Sequence, residues 1–352
     1  MKKERSTDML ALLSGYRGAI MGVAALGIVM LHCWLLIIPN RPVLGGIEAF
    51  IKWNGILGLD MFFFYSGLSQ TYAIRKNTLA QYYIRRFERV VIPYWIMALL
   101  CAYTGGWSLS MLLRHALGVT FFAETIFAHL WYVPAILVVY LLFPLYHGLM
   151  MRSGSKLAFS LCTVCVWLSA SVLLRDVIRS DVWYFTNRLP AFLLGVFVGE
   201  LGREKPVRMT LTHWALCVLL LCVGWMLKME AMRGRITLTP DFSYVGESLA
   251  AVAICFLLSG MFELLQSCGG VVRTITKLLL RFLAFIGVFT LELYCIHQWL
   301  FAILYTALEG HVTYLTINAI IFPVSIAAGW LLYRVHMAIL RLLHRFAAGK
   351  KA

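Results

Sequence analysis

Charge is what this sequence has least of: 13% of its 352 residues are charged, and only 16 are acidic. A soluble domain carries about 25%, and no polar stretch here is long enough to form one. Internal repeats and low-complexity tracts are also missing. The HExxH, Walker A, GxGxxG and GxSxG patterns do not occur, which argues against metalloprotease, nucleotide hydrolase, dinucleotide-dependent and serine-hydrolase chemistry. The net charge of +15 is not gathered into a basic stripe interleaved with aromatics outside the apolar runs, so no nucleic-acid partner is expected. The nine cysteines are scattered through apolar runs, and the lone CxxC, Cys162 to Cys165, reads as core filler rather than a redox or metal site. No metal is expected.

What is present in excess is apolar length. With 61% hydrophobic residues the chain reads as an all-α, polytopic integral membrane protein. Long apolar runs recur at 16–38, 55–74, 90–104, 130–150, 156–174, 188–202, 211–229, 244–265, 281–304 and 314–335, which predicts ten spans. The stretch 108–122 holds Arg114 and His115 and reads as an amphipathic surface helix. The chain divides into a basic cytoplasmic N-terminus over 1–15, a membrane domain over 16–335 and a basic cytoplasmic tail over 336–352. The first run is too long for a signal-peptide core and has no small-residue cleavage site after it, so it is expected to stay as an anchor. With both termini inside, cytoplasmic segments hold more than twice as many of the 31 Lys and Arg residues as the opposite side does, as the positive-inside rule requires.

Against this background each intramembrane ionisable group needs a partner or a task. Arg17 opens the first run and His32 lies roughly 22 Å further along it, on nearly the same helical face. Gly18 and Gly22 form a small-xxx-small pair for close helix packing. Span directions put Asp60 at nearly the depth of His32, in the outer half, with Glu292 near mid-membrane and His297 further out. An Asp60 carboxylate beside His32 would orient the imidazole and make it a general base for an alcohol attacking an acyl carbon. The alternative is that His32 is only a satisfied interhelical donor. The cluster Arg85, Arg86 and Arg89 before Pro93 is either a positive-inside anchor or a bidentate cradle for the phosphates of an anionic cosubstrate such as coenzyme A. Glu292 and His297 are five residues apart and serve different neighbours, with His297 open to packing, substrate-contact or catalytic use. His129, Arg188 and Asn318, near the outer ends of spans, are acceptor contacts or merely interfacial.

Six pieces in order carry a resemblance to membrane acyltransferase family three. They are Arg17-Gly18 through Leu31-His32, Gly58-Leu59-Asp60-Met61-Phe62-Phe63-Phe64-Tyr65-Ser66-Gly67, the arginine stretch from Tyr82 to Pro93, Leu130-Trp131-Tyr132-Val133-Pro134, Arg188-Leu189-Pro190-Ala191-Phe192-Leu193-Leu194-Gly195, and Leu291 to His297. The family pattern puts ten residues between its first arginine and histidine, whereas Arg17 and His32 have fourteen between them. The resemblance implies a multi-pass enzyme of the bacterial inner membrane that moves an acetyl or similar short acyl group from acyl-CoA to a hydroxyl of a cell-envelope glycan or lipid-linked sugar. It implies His32 as catalytic and Arg17, Arg85, Arg86 and Arg89 as acyl-CoA contacts; the depths and positions of the residues add Asp60 as the catalytic partner of His32 and Tyr132, Arg188, Glu292 and His297 as substrate contacts. A transporter or flippase, with the same charges lining a passage, and a membrane sensor that binds without turnover are the rival classes. Consumption of acyl-CoA separates them from the enzyme.

Overall fold

A computed structural model describes residues 8–33, 42–123, 129–178 and 180–349. Among these, helices follow one another as α1 (Met9–His32), α2 (Pro42–Trp53), α3 (Leu57–Lys76), α4 (Leu79–Arg86), α5 (Ile92–Gly105), α6 (Leu109–Ala116), α7 (Val119–Ala123) and α8 (Tyr132–Arg152). They continue as α9 (Lys156–Leu173), α10 (Ser180–Thr186), α11 (Leu189–Glu204), α12 (Leu211–Met232), α13 (Ser243–Ser267), α14 (Gly270–Val288), α15 (Thr290–Leu308) and α16 (Tyr314–Gly349). The described residues contain no strand, only an isolated bridge between Asp8 and Arg208.

Among the described residues eight helical segments are long and apolar enough to cross a bilayer, so the expected ten are not reproduced as such. The other two expected spans are helices: α3, polar at both ends, and α11, only 16 residues long. Boundaries also move. Asp8 accepts the Ala11 N–H at 2.8 Å and starts α1 well inside the segment expected to be a polar terminus. Residues 34–38 of the first expected span lie outside the described residues. The 281–304 run is not one helix, because buried Phe289 leaves helical geometry (φ −120°, ψ 32°) between α14 and α15. Glu292 therefore lies in the first turn of α15, where a carboxylate faces the positive end of the helix dipole, and not midway along a span. The amphipathic stretch becomes α6 and α7, separated at Gly118 (φ +76°). The expected tail continues α16 to Gly349. Cys162 and Cys165 sit exposed on α9 rather than in a core.

The chain forms two compact units. One holds residues 1–24, 57–82 and 138–287. In it α3 meets α11 so closely that a Cβ on Gly67 or Gly195 would fall about 2 Å from a carbonyl oxygen of the other helix. Gly22 and Gly287 bring α1 and α14 together in the same way, the use predicted for the first small-residue pair. The other unit holds residues 25–56, 83–137 and 288–352. There α15 packs on α16, with Gly329 against Leu293, and α5 packs on α15.

Candidate active site

Two imidazoles meet in the second unit. His32, the last residue of α1, has its Nδ1 2.9 Å from its own-helix carbonyl of Ile28 and 3.1 Å from Nε2 of His297 on α15. His297 is almost wholly buried, and its Nδ1 lies 2.7 Å from the Tyr294 carbonyl. Half-buried His32 lines a cavity of about 570 Å³ together with Gln298, Phe301, Ala302, Tyr305 and Thr306, all on α15. The size falls within the range of small-molecule sites. His129 and His115 complete a histidine-rich neighbourhood outside the spans. Burial pushes His129 down to about 4, helped by the neighbouring His115 and opposed by a bond to the Cys295 backbone, so it is neutral at physiological pH. Burial lowers His115 too. Tyr132, buried, donates its backbone N–H to the Tyr294 hydroxyl at 3.3 Å, and that hydroxyl donates to the His129 carbonyl at 2.6 Å.

The arginine stretch is broken by a π-helical turn, Phe87–Val91, which separates Arg89 from Arg85 and Arg86 on α4. Arg89 donates to Glu292 Oε1 at 3.0 Å and to the Val288 carbonyl at 3.0 Å. Glu292 has no exposed surface and also meets His336 Nδ1 at 2.8 Å, while His336 Nε2 reaches the Glu88 carbonyl at 2.8 Å. Substrate contact was expected of Glu292; enclosed in this way, it instead ties α15 to α16 and to the π turn. Arg89 correspondingly has an internal partner; Arg85 is exposed, and Arg86 is half-buried with an interaction of its own.

A second ionic cluster belongs to the first unit. Ser248 donates to Asp60 Oδ1 at 2.6 Å, and Arg188 Nε lies 3.5 Å from Asp60 Oδ2. Arg188, with no exposed surface, also reaches Glu247 at 3.5 Å, donates to the Tyr184 carbonyl at 2.8 Å and stacks 3.9 Å above the Tyr244 ring. Lys228 pairs with Glu247 at 2.9 Å. Asp60 and Glu247 sit near the N-termini of α3 and α13, and Lys228 near the C-terminus of α12, so each charge suits its helix dipole. The expected Asp60–His32 pair is thus replaced by Asp60–Ser248–Arg188 in one unit and His32–His297 in the other. Arg188, expected at the substrate, is a buried ion-pair centre. Arg17 is exposed on α1, about four helical turns before His32 on that helix, and lies close enough to influence Tyr65 electrostatically.

Sequence reading missed Glu247, Lys228, His336 and Gln298. The first two are charges inside apolar runs and would have been flagged by the same rule that singled out Asp60. His336 lay one position beyond the last expected span. Gln298 had no sequence signal apart from following His297. No group of three or more His, Cys, Asp or Glu among the described residues is placed to hold a metal ion.

No curated protein and no solved structure matches the chain. Residues 20–334 match the family described as the acyltransferase domain, known as acyltransferase family three, whose members are membrane proteins. The match takes in both histidines of the pair, the arginine stretch and the Asp60 cluster. The chain therefore belongs to acyltransferase family three and is a membrane acyltransferase.

Proposed function

We propose that this acyltransferase moves an acetyl or similar short acyl group from acyl-CoA to a hydroxyl of a cell-envelope glycan or lipid-linked sugar, in the inner membrane of a bacterium. The observation that carries the reading is His32, an imidazole held by hydrogen bonds on one side and open to a cavity of about 570 Å³. A base so placed takes the hydroxyl proton as the acceptor oxygen attacks the thioester carbonyl carbon. The resulting tetrahedral centre expels the coenzyme A sulfur, which recovers the proton from the imidazolium as the C–S bond breaks. General-base assistance of this kind is worth about 100-fold to 10,000-fold in rate.

Arg85 and Arg86 are the arginines we assign to the donor phosphates, because guanidinium forks match phosphate oxygens. Arg89 supports them through its hold on Glu292. The acceptor class rests on the family and on the cavity wall, where Phe301 and Tyr305 present rings and Gln298 a carboxamide, groups suited to a sugar's apolar face and hydroxyls.

The test follows label from acyl-labelled acetyl-CoA in membranes containing native envelope acceptors, with free thiol read in parallel. Wild type is expected to label glycan, and His32→Ala to lose labelling by 100-fold or more. Full activity in His32→Ala would remove the base assignment. No thiol release with either acetyl-CoA or succinyl-CoA, from protein shown to be folded, would remove the donor assignment.

A further inference from the structure

His297 is almost wholly buried and has next to no surface to offer a substrate, yet its Nε2 lies 3.1 Å from Nδ1 of His32. The hydrogen bonds around the two rings leave a single neutral arrangement. A backbone carbonyl only accepts, so Nδ1 of His297, at 2.7 Å from the Tyr294 carbonyl and 3.1 Å from that of Leu293, must carry its proton. In the neutral ring Nε2 is then a lone pair. That lone pair lies 3.1 Å from His32 Nδ1, which is also 2.9 Å from the Ile28 carbonyl. Both neighbours of His32 Nδ1 are acceptors, so this nitrogen holds the proton and shares it between them. A reversed pair, with His297 as the donor, would set the lone pair of His32 Nδ1 against the Ile28 oxygen.

We propose that His297 is a positioning residue: its Nε2, with the Ile28 carbonyl, holds the His32 proton on Nδ1 and so presents the basic Nε2 lone pair to the cavity. The inference rests on His32 being the base, and it assigns to a neutral imidazole the orienting task that a carboxylate performs in hydrolase triads. The two acceptors have different duties. Ile28 belongs to the same helix and selects the tautomer, whereas His297 comes from α15 and sets the plane of the ring relative to the cavity wall, which α15 also builds. When His32 becomes an imidazolium, its Nδ1–H stays bound to His297 and only the Nε2 proton is exchanged with acceptor oxygen and sulfur.

Three variants separate positioning from bulk packing. His297→Gln puts an amide oxygen near the place of Nε2 and can still accept from His32. His297→Asn places its amide near Nδ1, keeps the bond to the Tyr294 carbonyl, and falls short of His32. His297→Leu does neither. Loss of an orienting partner typically costs 10 to 100-fold. We expect kcat in the Asn and Leu variants to fall by about that factor with acceptor KM within about twofold, and Gln to recover to within about fivefold of wild type. Equal activity of Asn and Gln, or a fully active Leu variant, would overturn the proposal. Selective ¹⁵N-histidine NMR of the wild-type protein, with His32 assigned by its loss in His32→Gln, reads the tautomer without any change at His297. A protonated Nδ1 and bare Nε2 are expected, and a protonated Nε2 would overturn the proposal. An active His32→Ala enzyme would instead remove the base assignment while leaving the measured tautomer intact.

Discussion

Glu292 shows at the scale of one residue how much a neighbourhood decides. In the chain it is a carboxylate in an apolar run, equally suited to a substrate or to a partner. Folded, it has no exposed surface and joins Arg89 to His336. Removing one member of a buried ion pair leaves the others without compensation, at a cost of several kcal/mol; Arg89, 38% exposed, recovers part of that by reaching water. Glu292→Leu is therefore expected to destabilise the protein by on the order of 2 to 3 kcal/mol, read as a clear fall in the thermal midpoint in detergent. His344→Ala removes the pair between Glu88 and a histidine that is 63% exposed, and should move that midpoint little. A Glu292→Leu protein of wild-type stability with lost activity would return Glu292 to a substrate role.

Among the elements, the contact between α3 and α11 makes the sharpest prediction. Gly195→Ala would set a methyl 2.0 Å from the Phe64 carbonyl oxygen, a clash with backbone that no side-chain rotation relieves. The helices must part, and a loss of about 1 to 3 kcal/mol is expected, more than the roughly 1 kcal/mol that alanine returns in helix propensity. Gly148 on α8 has nothing within 4 Å of its added methyl. Gly148→Ala should thus leave stability unchanged or raise it by up to about 1 kcal/mol. Thermal unfolding of the two variants side by side checks the contrast. Tolerance of Gly195→Ala would mean that α3 and α11 stand further apart than their glycines indicate.

For the whole molecule, the distribution of basic residues predicts the arrangement across the bilayer. Both ends of the chain are expected on the cytoplasmic side, which requires an even number of crossings. A fluorescent-protein fusion at either terminus should light up in the cytoplasm, and an alkaline-phosphatase fusion at the same points should stay inactive. The reverse pattern would place the arginine stretch on the outer face and separate it from the acyl-CoA donor we propose.

The class of protein was set by composition and run length, because a bilayer demands long apolar helices and tolerates few charges. Eight of the ten expected spans lie where eight apolar helices do. His32 was also legible, as an imidazole where hydrocarbon would serve, and so was the close packing through Gly22. Pairing was not. Depth along a span limits which residues can share a level, but the azimuth of each helix and the choice of neighbour come from packing, which a single sequence does not encode locally. Depth alone therefore coupled Asp60 to His32, whereas the fold gives Asp60 to Ser248 and Arg188, and gives His32 to His297. The break at Phe289 was equally hidden, since an apolar run looks the same whether it holds one helix or two. Sequence determined that this protein lives in a membrane and which polar residues need a reason to be there; the tertiary structure decided which of them satisfy one another, because that choice depends on how the helices pack.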